Sequence, residues 1–95
     1  MSNCSKHKKE VEKYNGSMKD LVNDIGNLHY NSLKEFLLML SLKIKEDSKN
    51  DKKGGRCKLS DVLLKSSEHL YKSYEFINDA WLISEPFMKK ENLNN

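Results

Sequence analysis

The chain has 95 residues, 37% apolar and 33% charged, with a formal net charge of +3. That is room for one small domain with a thin core, and the composition suits elongated helices with one apolar face. Residues 1–58 carry 13 Lys/Arg against 8 Asp/Glu, a net of +5, and residues 59–95 carry 4 against 6, a net of −2; with acids interspersed, the basic half falls short of a dedicated nucleic-acid footprint.

In chain order, residues 1–16 read as a polar basic tail or a short helix around Lys8–Tyr14, with only Val11 and Tyr14 to pack. Gly16 breaks the pattern. Ser17 followed by Asp20 is a capping-box pattern with Asp in place of Glu. Apolar residues then recur at spacings of three and four, through Met18, Leu21, Val22, Ile25 and Leu28 to Leu33, Phe36, Leu37, Leu40 and Ile44. This predicts a first helix over about 17–48. Its weak point is Gly26–Asn31: Gly26 costs about 1 kcal/mol in a helix interior, His29-Tyr30-Asn31 interrupts the stripe, and a break there is the alternative to one continuous helix.

Residues 49–58 read as a loop, since Asn50, Asp51 and Gly54-Gly55 are turn chemistry. The second helix is expected over about 59–84, with Ser60 as N-cap and Asp61 favoured by the helix dipole. Leu63, Leu70 and Ile77 recur every seven residues, and so do Ser66, Ser73 and Ala80. Alternating large and small residues predict a seam that a neighbouring helix can approach closely. Leu59, Val62, Tyr74 and Trp81 widen that face. Pro86 is expected to end the helix near Ser84, with Phe87 and Met88 folding back over the end of the core and residues 89–95 forming a disordered tail.

The predicted fold is therefore all-α: an antiparallel helical hairpin, residues 17–88, with a short or frayed N-terminal helix. Two helices cannot enclose their own apolar stripes, so the hairpin is expected to complete a four-helix bundle by homodimerisation. Self-association or partner contact is assigned to Leu63, Ser66, Leu70, Ser73, Ile77, Ala80, Trp81 and Tyr71, facing Leu33, Phe36, Leu37, Leu40 and Ile44. Tyr71, Tyr74, Phe76 and Trp81 crowd the end of the second helix among Glu68, Glu75, Asp79 and Glu85, which is the wrong charge for stacking on nucleic acid. They read as core or as protein-interface anchors.

Chemistry-bearing motifs are sparse. Lys52, Lys53, Arg56 and Lys58 surround Gly54-Gly55 ahead of a helix, a candidate anion site for nucleotide or nucleic acid, but the run lacks the Walker pattern and reads first as a solvated turn, with the anion site as the alternative. Asp47, Asn50 and Asp51 lack the spacing of a calcium loop. Cys4 and His7, with Cys57, His29 and His69 elsewhere, contain zinc-ligand types without paired short spacings. Cys57 beside Arg56 has the surroundings of a reactive thiol, yet no His or acid is placed by sequence to make it catalytic. Glu75 and Asp79 lack the Glu-x-x-His elements of bundle metal enzymes.

Two cysteines make no disulfide framework. Met1–Glu12 has no apolar run of a secretory signal, and no window approaches the ~20 apolar residues of a membrane span. The expectation is a cytoplasmic, non-enzymatic interaction or regulatory protein with no cofactor, no metal and no membrane contact, which self-associates and binds a protein partner.

Overall fold

A computed structural model describes residues 7–94, with side chains described through Phe87. The expectations on Cys4, on the Met88 side chain and on Asn95 lie outside the described residues. Among the described residues there are three helices and no strand: α1 (Met18–Gly26), α2 (Tyr30–Lys53) and α3 (Cys57–Asn94).

The capping box opens α1 with both of its halves, the Asp20 amide donating to Ser17 Oγ and the Ser17 amide donating to Asp20 Oδ2, each at 3.1 Å. Residues 7–17 form no helix; the Tyr14 hydroxyl donates to Asp24 Oδ2 at 2.5 Å and ties this segment to α1. The continuous helix 17–48 is corrected to two helices with a break at Asn27–His29. Gly26 ends α1, Asn27 is its C-cap, and His29 Nδ1 accepts from the Asn31 amide at 3.3 Å to cap α2. The imidazole thus supplies the acceptor that opens α2.

The loop expected over 49–58 shrinks to Gly54–Arg56, because Lys49–Lys53 complete another turn of α2. Lys52 and Lys53 favour the negative end of the helix dipole there. The stop is a complete Schellman motif: the Arg56 amide donates to the Asp51 carbonyl at 2.8 Å and the Gly55 amide to that of Lys52 at 3.0 Å. Gly55, at φ 83°, holds the left-handed position this motif requires. Asp51 is used twice, since its carboxylate also accepts from Arg56 Nε at 2.7 Å.

Helix α3 starts at Cys57, three residues ahead of the expected cap. It also runs through Pro86 to Asn94, where an end near Ser84, a fold-back of Phe87 and a disordered tail were expected. Pro86 removes the donor for the Leu82 carbonyl; Leu82, Pro86 and Phe87 are exposed, so water can satisfy that carbonyl and the interruption is tolerated.

The extended helix contact is between α2 and α3. Ser48 meets Ser60 next to the connection, Lys34 Nζ donates to Asn78 Oδ1 at 2.7 Å farther away, and the His29 ring lies tilted against that of Trp81 at 4.6 Å farther still. Helix α3 therefore runs back along α2. The molecule measures 56 × 29 × 14 Å, so its thinnest dimension is little more than one helix diameter of about 10–12 Å. Its radius of gyration is 16.9 Å, against about 12 Å for a closely packed chain of this length.

The buried residues are four serines: Ser41, Ser48, Ser60 and Ser67, each 3–4% exposed. They form two heptad pairs, one per helix, along the α2–α3 contact. Each hydroxyl is satisfied. Ser41 donates to the Leu38 carbonyl and Ser67 to that of Leu64, both at 2.7 Å, while Ser48 donates to the Ser60 carbonyl at 2.8 Å and lies 3.0 Å from its hydroxyl. Ser60 therefore serves the seam and not the N-cap. Small side chains bring the helices close, but they bury little apolar area. Among the described residues no hydrophobic side chain is fully buried.

Candidate interaction surface

The serine line divides the two-helix layer into two faces. Successive residues turn by about 100°, and antiparallel helices of one hand place matching flanks on the same side. On one side Leu42, Lys45, Leu64, Glu68, Tyr71, Lys72 and Glu75 line a shallow groove of about 480 Å³ over Ser41 and Ser67. On the other side lie Leu33, Leu37, Leu40 and Ile44 of α2 and Leu63, Leu70, Ile77, Ala80 and Trp81 of α3, all half-buried. Phe36, Leu59 and Val62 extend this side and are exposed.

This second face is uncharged along α2 from Leu33 to Ile44 and along α3 from Leu59 to Ser84. Acids enter it only toward the connection, as Asp47 and Asp51. Both are paired within the chain, Asp47 with Lys43 and Asp51 with Arg56, at 2.7 Å each. The groove face has apolar residues too, but Lys45, Glu68, Lys72 and Glu75 stand among them.

The structure brings together all but one of the residues expected to associate. Leu63, Leu70, Ile77, Ala80 and Trp81 share the uncharged face with Leu33, Phe36, Leu37, Leu40 and Ile44. Ser66 and Ser73 lie along the same stripe, exposed. They are not the small residues on which α2 packs; Ser60 and Ser67 are. Tyr71 lies on the groove face, its ring 5.3 Å from that of Tyr74. Sequence reasoning missed the buried serines, whose signal was a second heptad, Ser41–Ser48 and Ser60–Ser67.

The basic connection is less open than its sequence suggests. Arg56 is held by Asp51 and folds over Gly54, where an added Cβ would come within 2.6 Å of the guanidinium nitrogens. Lys52, Lys53 and Lys58 are exposed. Cys57 is a free, exposed thiol at the connection end, whereas His29 sits at the opposite end of the pair against Trp81. His69, Glu75 and Asp79 are exposed. Among the described residues no three His, Cys, Asp or Glu side chains gather as a metal site, and no helix is long and apolar enough to cross a membrane.

No protein-family model, curated protein or solved structure matches the chain.

The amount of surface is the decisive quantity. A monomeric protein of this mass exposes about 5,700 Å², and this chain exposes 7,999 Å². The uncovered flanks of the α2–α3 layer contribute to the excess, among them the exposed Phe36, Leu59 and Val62. The stripe from Leu59 to Ser84 is about 38 Å long and the layer about 20 Å across. Covering it removes roughly 800 Å² per copy, the size of a standard stable interface.

Proposed function

We propose that this chain is a small non-enzymatic interaction protein. Its working unit is the antiparallel hairpin of α2 and α3, which pairs through the uncharged face with a second copy to form a four-helix bundle that binds a protein partner. One observation carries this reading: the chain has a continuous uncharged apolar face and no fully buried hydrophobic side chain among its described residues. An area of that size in water is unfavourable by about 25 cal/mol per Å² of its apolar part, and pairing like faces removes it twice over. A second copy suits the face because the stripe offers no charge that would demand an oppositely charged partner. Ser66, Ser73 and Ala80 leave hollows between Leu63, Leu70 and Ile77 that can receive the leucines of another helix.

Co-expression of two differently tagged copies tests the reading. Purification through one tag is expected to bring the other with it at high salt, since an uncharged interface is insensitive to screening. Recovery of one tagged species alone would overturn it.

A further inference from the structure

The groove face differs from the uncharged face in carrying a row of acids along one edge. Asp61, Glu68 and Glu75 recur every seven residues on α3, which keeps them on one flank of the helix over about 21 Å, or about four turns. All three are exposed, and the ion pairs among the described residues, Lys8–Glu12, Lys43–Asp47 and Asp51–Arg56, leave them out. The floor beside them is apolar: Leu42, Leu64 and Tyr71 are 54%, 38% and 45% exposed, with the buried Ser41 and Ser67 beneath. The cations of this face do not cancel the row. Lys72 is turned about 40° farther from the seam than Glu68. The α2 edge across the groove is mixed, with Lys45 and Lys49 toward the connection and Glu35 toward the other end.

We propose that this groove takes an amphipathic helix of a protein partner, its apolar stripe on Leu42, Leu64 and Tyr71 and a Lys/Arg edge along Asp61, Glu68 and Glu75. The proposal rests on the protein-binding half of the function given above and names the class of partner. A helix laid in a groove presents its anchors at spacings of three, four and seven. One with an apolar residue in each turn meets this floor while cations seven residues apart on its edge meet the acids. Tyr71 is of the residue type that anchors interfaces.

Charge disfavours other occupants. The phosphates of nucleic acid or of an anionic membrane would face the acids, and the uncharged face of a second copy has no cation to set against them. The uncharged face then pairs the copies, and the groove stays open to a partner on both outer sides of the bundle.

The test uses the full chain and two labelled helical peptides of about 18 residues, roughly five turns. Both carry the same leucine stripe, one with lysines on the edge beside it and one with glutamates there. By fluorescence anisotropy at low salt the lysine peptide is expected to bind at least about tenfold more tightly, the gap narrowing as salt screens the rim. The net charge of +3 favours the opposite order, so equal affinities, a preference for the glutamate peptide, or binding of neither overturns the proposal. Glu68→Lys with Glu75→Lys is expected to reverse the preference, and Tyr71→Ala to weaken the lysine peptide at least about tenfold. If neither variant does so, the peptide sits elsewhere and the proposal fails. If the double charge reversal abolishes dimerisation, this face belongs to a second copy and the proposal is overturned. Light scattering reports self-association separately: a monomer that binds the lysine peptide keeps the groove and loses the four-helix bundle, and a dimer that binds neither peptide keeps the bundle and loses the groove.

Discussion

Replacing Leu70 by Ala separates the two faces of the layer. Leu70 lies in the middle of the uncharged face and is half-buried by its own chain; a second copy would take the rest of it out of water. Removing a leucine from a closed core costs about 2–5 kcal/mol, as lost transfer energy plus the cavity left behind. Since α2 already covers part of Leu70, about 1.5 kcal/mol of that range is assigned to association. The residue occurs twice in a symmetric dimer, giving about 3 kcal/mol, or a roughly hundredfold weaker dimer. Leu64 is the control. It is the same residue on the same helix, 38% exposed, and it lines the groove on the opposite side. Leu64→Ala should change dimerisation by no more than about fivefold, because exposed substitutions usually stay within about 0.5 kcal/mol per copy. Sedimentation equilibrium over a dilution series measures all three chains, with circular dichroism confirming that they remain helical. Equal shifts in the two variants, or a larger one in Leu64→Ala, would refute the assignment of faces.

Three further outcomes test the fold beneath this surface. Ser48→Leu forces a large side chain into the seam and removes the hydroxyl that bonds to Ser60, so urea unfolding should show a loss of about 1–3 kcal/mol; an unchanged midpoint would contradict the close approach of α2 and α3. Gly55→Ala meets a φ of 83° and should lower stability by about 1–2 kcal/mol, whereas Gly26→Ala, into open space, should raise helicity; equal effects on thermal unfolding would contradict the Schellman stop. The bond from Tyr14 to Asp24, with burial and the charges of Asp24 and Asp20 adding to it, pushes the phenol up from 10.0 to about 12. The neutral phenol is the bonded form, so this tie is complete below pH 10 and is lost as pH rises through about 12. Phenolate absorbance should show one of the four tyrosines titrating late, and Tyr14→Phe should abolish that lag; four tyrosines titrating together in the parent would contradict the tie.

Much of the fold was legible because it rests on local chemistry. The Ser17–Asp20 box and the weakness at Gly26 were readable from residue types, as was the 63–70–77 heptad. What remained hidden needed the neighbouring helix. Helix α3 carries two small-residue heptads, Ser60–Ser67 and Ser66–Ser73–Ala80, about one residue apart in phase, and periodicity alone does not say which one meets α2 and which stays open. Pro86 reads as a stop because the bias against helix before proline is strong, but an exposed segment tolerates the missing bond. By residue type the connection is ten residues of polar loop, 49–58. The Asp51, Gly55 and Arg56 arrangement compresses the turn to three residues and consumes the arginine on which an anion site depended.

The proposed function requires a second copy to cover the uncharged face. Light scattering of the full chain across a concentration series measures this directly. The mass is expected to rise with concentration to about 22 kDa, twice the 11.1 kDa of one chain. A helical chain that holds the mass of a single copy at every concentration would contradict it.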